Sequence, residues 1–349
     1  MCGIVAGISS RNIIPALLKG LKRLEYRGYD SCGISTIEKS TLTRFRSVSR
    51  VEFLEKNIQE AECLPGRIGI AHTRWATHGA PEIRNTHPHF SHDTLAIVHN
   101  GIIENYEELK KSLINYGYEF ESDTDTEVVV HLIHSFYEGD LFSAFKKAVP
   151  LLKGAFAIAV ISKDEPEKLV VARNGAPLVL GIGEKENFVA SDPLALSGVT
   201  DKFVYFENGD IAAVHPDHYQ IYSLEADDYK IVQRPVVTIE AKFQDLSMGK
   251  YSHYMEKEIY EQPQAVRDTI NCLAGFSPEA FGFEAPRYFK KLKRVLILAC
   301  GTSYYAGMVA KYWFEKIAKV PCDVEIASEY RYRASVSEPD TLVVVISQS

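Results

Sequence analysis

Met1-Cys2-Gly3-Ile4-Val5-Ala6-Gly7-Ile8-Ser9 opens the chain. Cysteine is a small second residue, so removal of Met1 is expected. That would leave one residue carrying both a thiol and a free α-amine, a nucleophile with its own base. An α-amine titrates near ~8 and a thiol near ~8.5, so roughly 10–15% of the amine is unprotonated at pH 7. This is the cysteine form of the N-terminal-threonine arrangement. Position alone favours the plainer alternative, Cys2 as a small apolar residue opening a buried strand over 3–9. What lies downstream decides between them.

Working outward, Ile14, Leu17, Leu18, Leu21 and Leu24 recur at helical spacing, with Asn12 or Ser10 as cap. A polar turn, Arg27-Gly28-Tyr29-Asp30-Ser31, leads into a strand over 33–38. Another strand, over 66–77, ends on His72-Thr73-Arg74-Trp75, and a Gly/Pro/His-rich loop follows over 78–89. The strand over 94–101 ends on His99-Asn100-Gly101. Residues 102–117 are predicted helical, and Ser122 to Glu127 supply caps for a helix over 128–139. After one further helix, strands punctuated by Asn174-Gly175 and Asn208-Gly209 dominate. Blocks of strands broken by helical pairs predict an α+β fold: two antiparallel sheets with helices outside, a four-layer αββα sandwich. Residues 225–262 turn polar and charged, as a linker with a surface helix would. From about 293 the rhythm becomes α/β. Strands over 293–299, 322–327 and 341–347 and a helix over 304–318 predict a parallel sheet of flavodoxin type.

The chain has 349 residues, 46% of them hydrophobic, enough for about two domains. Its net charge is 39 − 46 = −7, and no basic run suggests a nucleic-acid groove or a membrane patch. Apolar runs fall short of the ~20 residues of a span, and no signal peptide is recognisable. Six scattered cysteines lack metal spacing, which predicts reduced thiols in a cytoplasmic protein.

Each further candidate has an ordinary alternative. Arg74 can hold a carboxylate bidentately or form a surface ion pair. Asn100-Gly101 can supply an oxyanion hole or a plain hairpin turn. Asp125 can bind an ammonium or cap a helix. Together with Cys2 they describe a pocket for an amino-acid amide.

MCGIVAGI (1–8), EYRGYDSCG (25–33), AHTRWATHG (71–79), HNGIIENY (99–106) and TDTE (124–127) resemble the class II, N-terminal-nucleophile (Ntn) glutamine amidotransferases. KEIYEQP (257–263), CGTS (300–303), SEYRYR (328–333) and ISQS (346–349) resemble the branch of that family with a sugar-isomerase (SIS) domain, which makes glucosamine 6-phosphate. The resemblance covers essentially the whole chain. It implies an Ntn-hydrolase glutaminase domain over 2–240, a linker and surface helix over 241–285, and part of a SIS domain over 286–349.

The resemblance makes Cys2 the nucleophile and Asn100 and Gly101 the oxyanion hole. Arg74 and Asp125 hold the glutamine carboxylate and ammonium. Arg27, Trp75, Thr77 and His78 belong to the pocket-closing loops and gate. Thr302, Ser303, Ser347, Gln348 and Ser349 fall on the sugar-phosphate site. L-Glutamine and fructose 6-phosphate are the implied substrates, with no metal or organic cofactor and a homodimer for the full-length enzyme. The family's SIS domain runs on past the third strand, so the chain is expected to be truncated there and to keep only glutaminase activity. Rival readings are a sugar-phosphate-binding regulatory module with an inert first domain, or another class II amidotransferase. The second would need an ATP-pyrophosphatase or PRPP loop after residue 240, and CGTS with ISQS is neither.

Overall fold

A computed structural model describes residues 2–61, 66–225, 228–238, 250–272, 285–336 and 338–347. The chain forms two units, Met1–Ser247 and Met248–Ser349. The first unit begins with β1 (Gly3–Ser9), α1 (Ile14–Leu24), β2 (Ser31–Glu38), β3 (Thr41–Ser47), α2 (Val51–Glu60) and β4 (Ile68–Arg74). Next come β5 (His89–Ser91), β6 (Leu95–Ile103), α3 (Tyr106–Asn115), α4 (Asp125–Ser135) and α5 (Leu141–Ala148). The strands β7 (Gly154–Ser162), β8 (Leu169–Asn174), β9 (Val179–Ile182), β10 (Glu186–Ala190) and β11 (Lys202–Tyr205) follow. The unit closes with β12 (Asp210–Val214), β13 (Tyr219–Glu225), β14 (Asp228–Val232) and β15 (Val236–Thr238).

Two antiparallel sheets result, ordered β15-β11-β9-β10-β1-β4-β2-β3 and β14-β13-β12-β8-β7-β6-β5. Alternation along each strand builds three cores. Ile4, Ala6 and Ile8 of β1 point into the layer between the sheets, with Ala96, Val98, Ala157 and Ala159 of the facing sheet. Val5 points the other way, against Leu17 and Leu21 of α1 and Leu54 of α2. On the far side, Leu95, Ile97, Ile158 and Val160 pack beneath Val129, Ile133 and Phe145 of α4 and α5. Helices, sheet, sheet and helices thus form the expected αββα sandwich. Strand β1 is buried along its whole length because both its faces are covered.

Local chemistry explains the helix starts. Ile14 N–H donates to Asn12 Oδ1 at 3.2 Å, and Pro15 occupies the first turn, where its missing N–H costs nothing. Thr124 caps α4 by accepting from Glu127 N–H at 3.3 Å. The Glu127 carboxylate reaches back to the N–H groups of Glu121 and Ser122 at 2.9 and 2.7 Å.

Two expectations need correction. The helix predicted over 102–117 begins only at Tyr106, because β6 runs on to Ile103, paired with Gly154. Ile103 N–H donates to Asp125 Oδ2 at 2.9 Å and Glu104 N–H to the Lys153 carbonyl at 2.8 Å, which holds this stretch extended. The polar stretch after 225 is not linker throughout: β14 and β15 add edge strands to the two sheets. Their side chains are largely exposed, so no apolar alternation marks them. The pair β3 and α2 also went unforeseen.

The second unit comprises α6 (Tyr254–Cys272), α7 (Ala285–Phe289), β16 (Arg294–Ala299), α8 (Gly301–Trp313), β17 (Cys322–Ile326), α9 (Ala327–Tyr332) and β18 (Thr341–Ile346). Its sheet is parallel, ordered β17-β16-β18. Helix α8 starts three residues before the predicted 304. The polar SEYRYR segment forms most of α9.

Candidate active site

In β4, period two puts His72 and Arg74 on one face. Gly3 pairs with Thr73, so Cys2 comes level with the end of β4. Asn100 and Gly101 lie near the end of β6, in the other sheet, and Asp125 opens α4 above that sheet. The site therefore forms where one end of both sheets meets a helix N-terminus. Cys2, Arg74, Trp75, Thr77, His78, Gly101 and Asp125 line one cavity together with His87, His99, Thr124 and Thr126. The cavity is about 10 Å³, room for roughly one water.

Cys2 Sγ accepts from Trp75 N–H at 3.2 Å and faces the Trp75 carbonyl at 3.5 Å. Burial pushes its thiol pKa up, against the opposing pull of the Trp75 N–H and the Arg74 charge. The group therefore rests as a thiol and needs a base to become a nucleophile. Asn100 Nδ2 donates to the Cys2 carbonyl at 3.5 Å, which turns the amide N–H group toward the cysteine. Gly101 has φ +121°, and a Cβ there would lie 2.0 Å from the Ala155 carbonyl oxygen, so only glycine fits.

Arg74 is buried, and its guanidinium donates to the backbone carbonyls of His78, Gly79 (3.2 Å) and Ala80 (3.4 Å). Asp30 Oδ1 stands 3.8 Å from Arg74 Nη1. The carbonyls of the 78–80 loop thus occupy the donors that a bound carboxylate would take. A cavity of this size does not admit an amino acid without rearrangement of its lining. Trp75 is 54% exposed, and a Cβ added at Gly28 would lie 3.2 Å from its ring. Arg27 does not line the cavity; it pairs with Asp192 and donates to the Tyr26 hydroxyl at 3.2 Å. His78 packs edge-on to Tyr106, ring centroids 5.0 Å apart.

Sequence reasoning passed over Asp30, His72, His87 and His99. Asp30 takes the Ala76 N–H as well as facing Arg74. His99 Nδ1 lies 3.0 Å from Thr126 Oγ1, and His72 Nε2 lies 2.9 Å from Asn100 Oδ1. The available signal was period two: His72 precedes Arg74 by two residues, and His87 precedes His89 by two. Among the described residues no group of three or more His, Cys, Asp or Glu is arranged to hold a metal ion.

In the second unit, Thr302 and Ser303 lie in the first turn of α8, just beyond β16, and Ser347 directly follows β18. Ala299 pairs with Ile346, so these residues share the carboxyl end of two adjacent parallel strands. Gln348 and Ser349 lie outside the described residues.

A glutamine amidotransferase domain family matches residues 72–198, and a SIS domain family matches residues 288–349. The isomerizing glutamine–fructose-6-phosphate aminotransferase of Bordetella pertussis is 52% identical over 354 aligned positions, covering 100% of this chain and 57% of that protein. Its namesake in Pseudomonas aeruginosa is 51% identical over 355, with the same coverage. The chain thus spans a little over half the length of these relatives. Among solved structures, the allosteric regulatory enzyme of purine biosynthesis superposes with a TM-score of 0.57 at 26% identity, over 64% of this chain and 49% of that one. The glutamine PRPP amidotransferase of B. subtilis also gives 0.57, at 22% identity over 93% and 65%, a likeness of fold.

Proposed function

The chain belongs to the glutamine–fructose-6-phosphate aminotransferase family, and from that premise we propose that its first unit hydrolyses L-glutamine to glutamate and ammonia. The observation that carries this reading is the shared cavity of Cys2, Arg74, Gly101 and Asp125. It puts a nucleophile on one cavity with a cation and an anion, the complements of the two charges of an amino acid's head group. Removal of Met1 frees the α-amine of Cys2, which takes the thiol proton. The thiolate attacks the side-chain amide carbon of glutamine. The negative charge that develops on the amide oxygen is met by Asn100 Nδ2–H and Gly101 N–H. The amine returns its proton to the departing nitrogen, ammonia leaves, and a glutamyl thioester remains on Cys2. Water then attacks the thioester, releasing glutamate and restoring the thiol. Arg74 exchanges the loop carbonyls for the glutamine carboxylate, and Asp125 takes the ammonium. Trp75, Thr77, His78 and Arg27 form the loops that close over the pocket.

The second unit binds the phosphate of a sugar phosphate, fructose 6-phosphate, through Thr302, Ser303, Ser347, Gln348 and Ser349. Strand order β17-β16-β18 supports this: successive strands are added on opposite sides of β16, so the order reverses between β16 and β18, and ligands of open α/β sheets bind at such a point. The decisive experiment is glutamate release from L-glutamine by the purified chain, with intact mass read alongside. Cys2→Ala is expected to drop turnover to background, a loss of order 10⁴ or more, with the fold retained. Wild-type turnover no higher than that of Cys2→Ala would remove the glutaminase assignment. A fully active sample retaining Met1 would remove the amine as base.

A further inference from the structure

Asn100 serves the proposed reaction only in one of the two orientations of its amide, and the contact that chooses between them is made by a histidine from the opposite sheet. His72 Nε2 lies 2.9 Å from Asn100 Oδ1, His72 is fully buried, and Asn100 is nearly so. With the proton on Nε2, the imidazole donates to Oδ1 and the amide N–H group is left facing Cys2, as observed at 3.5 Å. With the proton on Nδ1, the bare Nε2 would accept from the amide nitrogen. The amide would then turn its oxygen toward Cys2, setting a carbonyl dipole against the charge that develops there.

One observation favours the first arrangement, and two more hold the ring in a single state. His72 Nδ1 is buried and makes no hydrogen bond of normal geometry, the His99 backbone exerting only the weakest of the pulls on the ring. A bare acceptor there costs less than an orphaned N–H would, since buried unpaired donors are the rarer case. The ring is also held rigidly, stacked on His87 with centroids 4.1 Å apart and planes 30° apart. Finally, burial drives the His72 pKa down to about 3, while Asn100 and the His99 backbone pull it upward. The imidazole is therefore neutral at working pH and can hold a single proton in a single place.

We propose that His72 is a positioning residue: its Nε2–H fixes the amide of Asn100 with the nitrogen toward Cys2, so that the oxyanion donor is set before substrate arrives. The idea rests on the glutaminase reading above, and wild-type turnover tests that reading separately. His72→Gln and His72→Met are matched in length and bulk, and of the two only glutamine can supply an N–H. With the purified full chain and L-glutamine, His72→Met is expected to lower kcat about ten-fold with KM little changed, the size of one lost orienting hydrogen bond. His72→Gln should recover most of that loss. In an Asn100→Ala background, His72→Met should cost nothing further, because the two act as one unit.

Equal losses in the Met and Gln variants would show that space, not the donor, matters. Additive losses in the double variant would separate His72 from Asn100. Either result overturns the proposal. A readout independent of folding variants is the tautomer itself: ¹⁵N long-range correlation spectra of the wild-type chain should show His72 protonated at Nε2. Protonation at Nδ1 would overturn the proposal even if turnover is normal.

Discussion

Val5 and Val345 both sit mid-strand among apolar neighbours, yet Val5 is wholly buried and Val345 is 65% exposed. Strand β1 lies in a sheet with a second sheet on one face and helices on the other, so successive side chains enter different cores. Strand β18 lies in a three-stranded sheet whose small core of Val295, Ile297 and Cys322 takes Leu342, Val344 and Ile346 from one face. Its other face shows Val343 and Val345, and α8 shows Tyr305, Val309, Tyr312 and Trp313. Parallel sheets ordinarily have both faces covered. The same apolar run therefore carries very different energetic weight in the two units. The first unit holds its site on strands that are buried on both sides, whereas the second presents its candidate site on a thinly supported sheet.

The largest expected contrast is in acid. His72, His87, His89 and His99 are buried in the first unit, and burial holds each pKa below its ordinary value, with Asp125 and Glu127 pulling weakly the other way. Unfolded imidazoles titrate near ~6.5. Below that pH the unfolded chain binds protons that the folded unit does not, so stability falls as pH falls. For His72 and His89, each held down to about 3, the loss is roughly 2 kcal/mol apiece between pH 7 and pH 5, and His87 and His99 act in the same direction. The second unit has only His253, which is exposed. Cys32 and Cys322, both buried, report one unit each. Urea midpoints from dithiodipyridine labelling at those two thiols should fall steeply with acid for Cys32 and little for Cys322. Parallel shifts would break the contrast.

A mid-sized effect comes from matched truncations. Ile158→Ala, in the middle of β7, should cost about 2–5 kcal/mol in the Cys32 transition, because the cavity it leaves has nowhere to collapse. Val345→Ala should change the Cys322 transition by less than about 0.5 kcal/mol. Comparable costs would mean that the exposed face of β18 is covered in solution. The smallest effect sharpens the comparison from the functional side. If the first unit holds its site unaided, a chain ending at Ser247 should keep glutamine turnover within about two-fold of the longer one. A ten-fold loss would place part of the site's support in the second unit.

Local periodicity made much of this legible. The strand of residues 3–9, the helix carrying Leu17, Leu18 and Leu21, the cap at Thr124 and the α/β change near 293 all follow from side-chain patterns within a few residues. Cys2, Arg74, Asn100, Gly101 and Asp125 could be picked out for the same reason: each stands at the polar end of an apolar run, where a chain leaves its core.

Their mutual arrangement was not legible, because it depends on packing between segments far apart in the chain. Whether His72 faces Asn100, twenty-eight residues away and in the other sheet, depends on how the two sheets stack and on which face each strand turns inward. The loop carbonyls on Arg74, the carboxylate of Asp30 beside it and the polar edge strands β14 and β15 leave no periodic trace either. They are held by backbone hydrogen bonds and charge contacts. A hydrophobic pattern records which side chains avoid water, and it carries no information about which polar groups will meet once the apolar ones have packed.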